Sequence, residues 1–518
     1  MKNIVKYIAI ACLSVFALPA GVSGQSSDVN KLKIKGLHID FRAEVMTVEA
    51  LKSLAEDISK KGLNTILMEW EATFPFDKHA VLCNKHSFTE EEVKDFVSYC
   101  SDLGIDVVPL QNCFGHCEYI LRHDRYYDLR EDNKEVSQVC PLKIEKAKSV
   151  FGEIFREVAQ LHPSKYFHIG ADETYLLGRC EKCSAFAAKE GKSKLFVNYI
   201  KAMSELVVDM GKIPVIWADI ILQYPEALND LPKELIFIDW NYGWDTDYFG
   251  KLDNLINSGA TVWGAPSLRS HPDNLYLVQW EKHFDNLKTF VPLAVKSGYE
   301  GMIETSWSTS GVYGFMYDTG YEILDMYSMR YVYPMSGFNI LIDAFGKAVN
   351  TAEPLDVKSF ITRYAKDRYG LSPAEIETFS EYMFMPQNEI RRGSDTKGVP
   401  VETVLNNCLE MKSKIDKISP TVNSSEFEHY KMMSDIRINY LEFKVIESIY
   451  ESDEFNRSYA PRLKERLKKT INDRELLSKR FADLNSGYLK PGQFDYLNEI
   501  WSKKMKETYE SLSALCND

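Results

Sequence analysis

Two carboxylates stand side by side at Asp172 and Glu173, directly after the apolar and aromatic run Tyr166-Phe167-His168-Ile169-Gly170-Ala171. Pro163 bounds the run upstream and Gly178 downstream, and a short run so bounded reads as a buried parallel strand. Adjacent ionised carboxylates repel each other. Such a pair persists where a cleft gives each acid its own environment and separates their pKa values, the condition that general acid–base chemistry needs. The plainer reading is an Asp that caps the next helix beside a solvated Glu.

The elements around this pair favour the first reading. Eight strand-like segments occur, at Lys33–Asp40, Leu63–Glu71, Ile105–Gln111, Lys165–Asp172, Ile213–Asp219, Glu234–Trp240, Ala260–Ala265 and Tyr299–Trp307. Helical periodicity fills the gaps. Val48–Lys60 puts Leu51, Leu54, Ala55 and Ile58 on one face, and Glu90–Leu103 follows Thr89 as N-cap. Lys143–Leu161, Lys194–Met210 and Leu275–Lys296 are the other clear patterns. This alternation predicts an α/β chain built as a closed (β/α)₈ barrel over residues 33–340. A doubly wound open sheet would need a Gly-rich phosphate turn after an early strand, and none is present. From about Phe345 the strand signals stop. Val357–Tyr369, Val401–Ile418, Arg462–Leu484, Phe494–Leu512 and the stripe Met433, Ile436, Tyr440, Phe443 predict an all-helical C-terminal domain over 345–518. That stripe reads as core rather than as a ligand box.

Composition narrows the partners. With 518 residues and a net charge of −13, and without a basic run, nucleic acid and anionic membranes are poor partners. Residues 1–24 read as a signal peptide: Lys2 and Lys6, an apolar stretch from Tyr7 to Leu18, and the small-residue site Val22-Ser23-Gly24. Processing as a lipoprotein at Cys12 is the alternative. The stretch is too short to span a bilayer, so a periplasmic or secreted protein without a transmembrane segment is expected. Loss of Lys2 and Lys6 would take the net charge from −13 to −15.

In a barrel of this kind the site lies at the C-terminal strand ends. Those ends hold Asp40 and Arg42, Glu69 and Glu71, His116, Asp172 and Glu173, Trp217, Trp240 and Tyr242, Trp263, and Trp307. Tryptophan faces pack on the C–H faces of sugar rings, while carboxylates and arginine grip hydroxyls. An acid pair among them suggests glycoside hydrolysis.

His168-Ile169-Gly170-Ala171-Asp172-Glu173 is similar to the H-x-G-x-D-E signature of glycoside hydrolase family 20, the β-N-acetylhexosaminidases. Gly36-Leu37-His38-Ile39-Asp40 with Arg42, Phe114-Gly115-His116 and Val215-Ile216-Trp217 match in order and spacing. The resemblance covers the barrel, looks closest to the hexosaminidase D-like branch, and does not extend to the helical region. The α/β domain that usually precedes the barrel in this family is not expected here. The resemblance implies an exo-acting enzyme that removes terminal β-linked GlcNAc or GalNAc by a substrate-assisted retaining mechanism, without cofactor or metal. Glu173 would then be the general acid and base, and Asp172 would hold the acetamido N–H. Arg42 would hold ring hydroxyls, with His116 near the acid pair, and Trp217, Trp240 and Trp307 would wall the pocket. Two departures stand out: no Tyr follows strand seven, which makes Tyr242 the substitute partner of the acetamido oxygen, and Thr309 stands where the family often has a Glu. A weakly active or inactive sugar-binding barrel and a double-displacement β-glycosidase are the competing functions. A metal-dependent deacetylase would want His-rich strand ends, such as H-x-H after strand one, where His38-Ile39-Asp40 gives only one His.

Ten cysteines include Cys12 in the leader. Cys113, Cys117, Cys180 and Cys183 fall on two neighbouring loops, where zinc, disulfides and unrelated thiols are all open readings.

Overall fold

The computed structural model describes residues 32–270, 273–274, 277–309, 313–318, 322–351 and 353–516. The expected leader and Cys12 lie outside the described residues.

Nine short strands form the main sheet: β1 Ile34–Asp40, β2 Thr65–Glu69, β3 Asp106–Leu110, β4 Tyr166–His168, β5 Ile213–Trp217, β6 Ile236–Trp240, β7 Val262–Ala265, β8 Ser267–Arg269 and β9 Gly301–Ser306. All neighbours pair in parallel, and β1 pairs with both β2 and β9, which closes the ring. The barrel is therefore eight-stranded with β9 as its eighth stave. β8 continues the chain of β7 past Pro266 and adds to the top of β9 with a register shift.

Residues alternate between two packed layers, as the period of a strand requires. Leu67, Val108, Leu110, Val215, Trp217, Ile238, Trp263 and Ile303 fill the barrel interior. Leu37, Ile39, Ile66, Met68, Phe167, Ile216 and Phe237 face the surrounding helices. The helices start where the side chains supply caps. Thr47 accepts from Ala50 N at the head of Val48–Lys60, and Thr89 with Glu92 makes a full capping box at the head of Glu90–Asp102.

One helical reading holds, as Lys192–Asp209, with an addition before it, and one is corrected. The pattern expected at Lys194–Met210 is preceded by a separate helix, Glu181–Glu190, and the break falls at Gly191 with φ +92°. The helix expected from Leu275 begins at Trp280, because the chain before it is tied down by Asp273, which accepts from Ser270 N and Gln279 N.

Beyond β9 a two-stranded hairpin, Tyr313–Tyr317 with Ile323–Ser328, precedes the helix Asn339–Thr351, and helices then run to Cys516, broken by a short antiparallel ladder of Ile390–Arg391 with Ser394–Asp395 that the all-helical expectation did not include. Met433, Ile436 and Phe443 of the expected stripe are buried in core. The helical region clasps the barrel's first loop: Thr47 N donates to Tyr488 O at 2.9 Å and Lys490 N to Val45 O at 2.8 Å. No helix among the described residues is long and apolar enough to cross a membrane.

Candidate active site

β4 is only three residues long because the chain turns sharply after it. Gly170 and Ala171 take φ +75° and +81°, and Glu173 takes +49°. Glu71 and His116, on neighbouring strand ends, are also left-handed at +47° and +53°. A non-glycine residue held there costs about 1–3 kcal/mol and survives where surrounding structure enforces it, commonly at functional sites. Two glycines make the turn possible. A Cβ on Gly170 would stand 2.1 Å from Asn112 Oδ1, and one on Gly115 would stand 2.3 Å from the Asp172 carbonyl oxygen. Gly115 thus lets the β3 loop lie directly against the acid pair.

The loop delivers His116 between the two acids, with Nε2 3.3 Å from Asp172 Oδ2 and 3.3 Å from Glu173 Oε2. Burial works against the imidazolium, but the two carboxylates outweigh it and hold the His116 pKa well above its ordinary value. Burial alone would raise the Glu173 carboxyl. The hydrogen bonds from His116 and from Tyr175 Oη at 2.7 Å outweigh that and leave it below the usual range. Glu173 is therefore not an acid with a raised pKa. Beside it Asp219 is pushed up, to about 8, by its burial and by the Asp172 charge. Asp219 Oδ2 accepts from Glu173 N at 3.0 Å and Oδ1 from Trp240 Nε1 at 3.3 Å, so it sets both the acid's backbone and an aromatic wall.

Arg42 is held from behind by acids. Its Nε donates to Asp40 Oδ1 at 3.2 Å and its Nη2 to Glu69 Oε2 at 3.3 Å, and Glu71 Oε1 lies 3.8 Å from Nε. Burial disfavours the charge, but Asp40 and Glu69 lead a set of neighbours that keep the guanidinium firmly ionised. Asp40 also accepts from Ser308 N and Oγ, and Glu69 from Asn112 Nδ2. These acids therefore orient Arg42 from below, while the Arg42 guanidinium packs 4.9 Å from the Trp307 ring.

The pocket has a volume of about 540 Å³ and is lined by Arg42, His116, Asp172, Glu173, Trp217, Trp240, Tyr242 and Trp307 among others. Trp307 Nε1 donates to Tyr242 Oη at 2.7 Å, which ties the ends of β6 and β9 together. Trp263 does not reach the pocket. It sits a layer deeper in the barrel, edge-on to Tyr166 at 5.0 Å and over Gly301, because its position on β7 points inward below the rim. Thr309 is also fully buried and away from the lining. The sequence reading missed Tyr175, Asp219, the aromatic lip Trp244, Tyr248 and Phe249, and the cationic wall of Lys282 and Arg330. The density of aromatics just after β6 was the visible signal for the lip. Asp219 was visible as an acid at a strand end.

The cysteines group differently from the expected quartet. Cys113 Sγ donates to Ile169 O and Cys117 Sγ to Gly115 O, each buried beneath the acid loop. Cys180 and Cys183 lie instead beside Cys140 and Glu131, because the β3 loop folds back through the Arg130–Val139 bridge.

A profile of the glycosyl hydrolase family 20 catalytic domain matches residues 46–311, about half of the chain. The chain belongs to glycosyl hydrolase family 20. Hexosaminidase D of Bos taurus is 27% identical over 288 residues, which cover 52% of this chain and 83% of that protein. Hexosaminidase D of Homo sapiens is 29% identical over 227 residues, covering 42% of this chain and 46% of that protein. The solved β-N-acetylhexosaminidase of Bacteroides fragilis is 18% identical with a TM-score of 0.49, covering 68% of this chain and 71% of that chain. As a family 20 member this chain is a glycoside hydrolase, and its acid pair lies in the matched region.

Proposed function

We propose that the chain is an exported, exo-acting β-N-acetylhexosaminidase that removes terminal β-linked GlcNAc or GalNAc through an oxazolinium intermediate. One observation carries the reading: Asp172 and Glu173 both reach the same imidazole nitrogen, at 3.3 Å each, at the floor of a pocket walled by tryptophan. A double-displacement glycosidase needs its nucleophile and its acid on opposite faces of the sugar. Two consecutive carboxylates on one strand-end turn, joined through one imidazole, suit a different division of work. Glu173 protonates the leaving oxygen and then draws a proton from water. Asp172 accepts the acetamido N–H and balances the positive charge that grows as the acetamido oxygen closes on the anomeric carbon.

The rest of the pocket fits this scheme. Arg42, fixed by Asp40 and Glu69, grips ring hydroxyls, while Trp217, Trp240 and Trp307 pack on the C–H faces of the sugar. Tyr242 presents its hydroxyl for the acetamido oxygen. Glu173 is half-buried, and a sugar seated over it would remove the remaining water and raise its pKa toward that of a working acid. The names of the curated relatives support the substrate class.

Asp172→Asn keeps the shape and removes the charge, so kcat on an aryl GlcNAc should fall by roughly 10²–10³. A thiazoline mimic of the oxazoline should inhibit the wild type strongly and this variant weakly. Aryl β-glucoside, which lacks the acetamido group, should be almost inert. Covalent trapping of a 2-fluoro sugar on Asp172 would return the enzyme to the double-displacement class.

A further inference from the structure

We propose that Glu131, Cys140, Cys180 and Cys183 form a structural zinc site that staples the β3 loop to the β4 loop. One ligand atom from each lies within 4.8 Å of every other. The sulfur geometry argues for a metal rather than a bridge. Cys140 Sγ is 3.5 Å from Cys183 Sγ and 3.9 Å from Cys180 Sγ. A disulfide needs about 2.05 Å. In a tetrahedral site with Zn–S near 2.3 Å, neighbouring sulfurs stand about 3.8 Å apart.

The fourth ligand is the independent observation. Glu131 is buried, and its Oε1 accepts from Cys180 N at 2.8 Å. Its Oε2 is buried with no N–H or O–H partner among the described residues, and apart from Cys180 N the carboxylate meets only the thiols of Cys140 and Cys180. A carboxylate desolvated in this way is costly unless it meets a cation. Three thiols, two of them buried, packed around it are otherwise a poor environment. Binding of Zn²⁺ balances the charges: three thiols lose three protons, and three thiolates with one carboxylate around Zn²⁺ carry a net charge of −2. Four protein ligands leave no open position, so the ion would be structural.

The staple sits close to the chemistry. Cys180 follows Glu173 along one loop, and Leu176 N on that loop donates to Gln138 Oε1 of the other at 2.9 Å. Arg179 Nε pairs with Asp132 at 3.2 Å. The β3 loop also carries His116, so the metal would fix the frame in which His116 meets the two acids. Bound zinc would equally keep the thiolates from pairing in an oxidising compartment.

The test uses the full chain, made without a polyhistidine tag and dialysed against a weak chelator. Metal analysis should find about one zinc per chain, with the zinc released when thiols are titrated by a mercurial. Cobalt added during refolding should give thiolate-to-cobalt charge transfer and the intense ligand-field bands of a tetrahedral site. Cys180→Ser, at the half-buried position that tolerates change best, should lower zinc content several-fold and lower the melting temperature. Glu131→Gln should weaken retention under chelation even if Cys180→Ser fails to fold. Zinc-free protein with all thiols titratable would overturn the proposal, as would a Cys140–Cys183 or Cys180–Cys183 disulfide found by mass spectrometry of the native chain.

Discussion

Glu173 carries its carboxyl between a phenol and an imidazole, and both favour its ionised form. Its value as an acid therefore depends on the sugar that covers it. Glu173→Gln should lower turnover of natural glycosides by about 10²–10⁴, and less for aryl glycosides whose leaving group needs no proton; steady-state rates on both substrates check this, and equal losses would count against the role. Asp219 gives the opposite case. Its ordinary pKa of 3.8 rises to about 8 in the fold. Between those values the folded protein holds a proton that the unfolded chain has released, so stability falls as pH rises through that window. Asp219→Asn abolishes the difference. Its melting temperature relative to wild type should be more favourable near pH 8 than near pH 5, and a pH-independent offset would show that Asp219 does not titrate in this window. At this scale the sequence revealed which residue types converge, because acids and tryptophans at strand ends have few structural uses. Depth was hidden. Trp263 and Trp217 look alike in a list of strand ends, yet only one faces the pocket, since a single layer along the strand decides it. The lowered pKa of Glu173 was hidden too: it depends on His116, which arrives from the β3 loop with a left-handed backbone, and on Tyr175.

The β3 and β4 loops form one unit. Gly115 permits their contact, and a methyl group there would meet the Asp172 carbonyl at 2.3 Å, a backbone atom that cannot rotate away. Gly115→Ala should therefore push His116 off the acid pair. kcat should fall more than KM rises, and the melting temperature should drop by several degrees, on the scale of about 1–3 kcal/mol for overpacking. Kinetics and thermal melts on the variant measure both. The strands were legible because parallel strands buried on both faces must be apolar, and turn residues bound them. The true end of β4 was not, since the run stays apolar through Ile169 and Ala171 while the backbone has already turned left-handed. The cysteine grouping failed for a similar reason: sequence spacing pairs loops by order, and the fold-back at Arg130–Val139 brings Cys140, not Cys113 or Cys117, to the rim.

The barrel and the C-terminal helices share one hydrophobic core. Trp280 packs on Tyr430 at 5.9 Å and Phe284 on Phe360 at 6.2 Å, so the barrel helix Trp280–Lys296 faces the helical region. A chain ended after Thr351 would leave those rings in water. It should be insoluble or melt far below the full chain, which soluble yield and size-exclusion chromatography would show; a well-behaved active barrel would refute this. The helical region's service to the pocket is local. Thr47 Oγ1 donates to Gly487 O at 2.6 Å across a separation of 440 residues, and this clasp closes the loop that starts at Arg42. A ribosome adds about 5–20 residues per second, so roughly 20–90 seconds pass between the making of the two partners. During that interval Arg42 rides on a loop whose fastening partner has not been made, so a chain stopped before Gly487 has the acid pair but not the contact that closes this loop. The loop is fastened only once synthesis has passed Lys490.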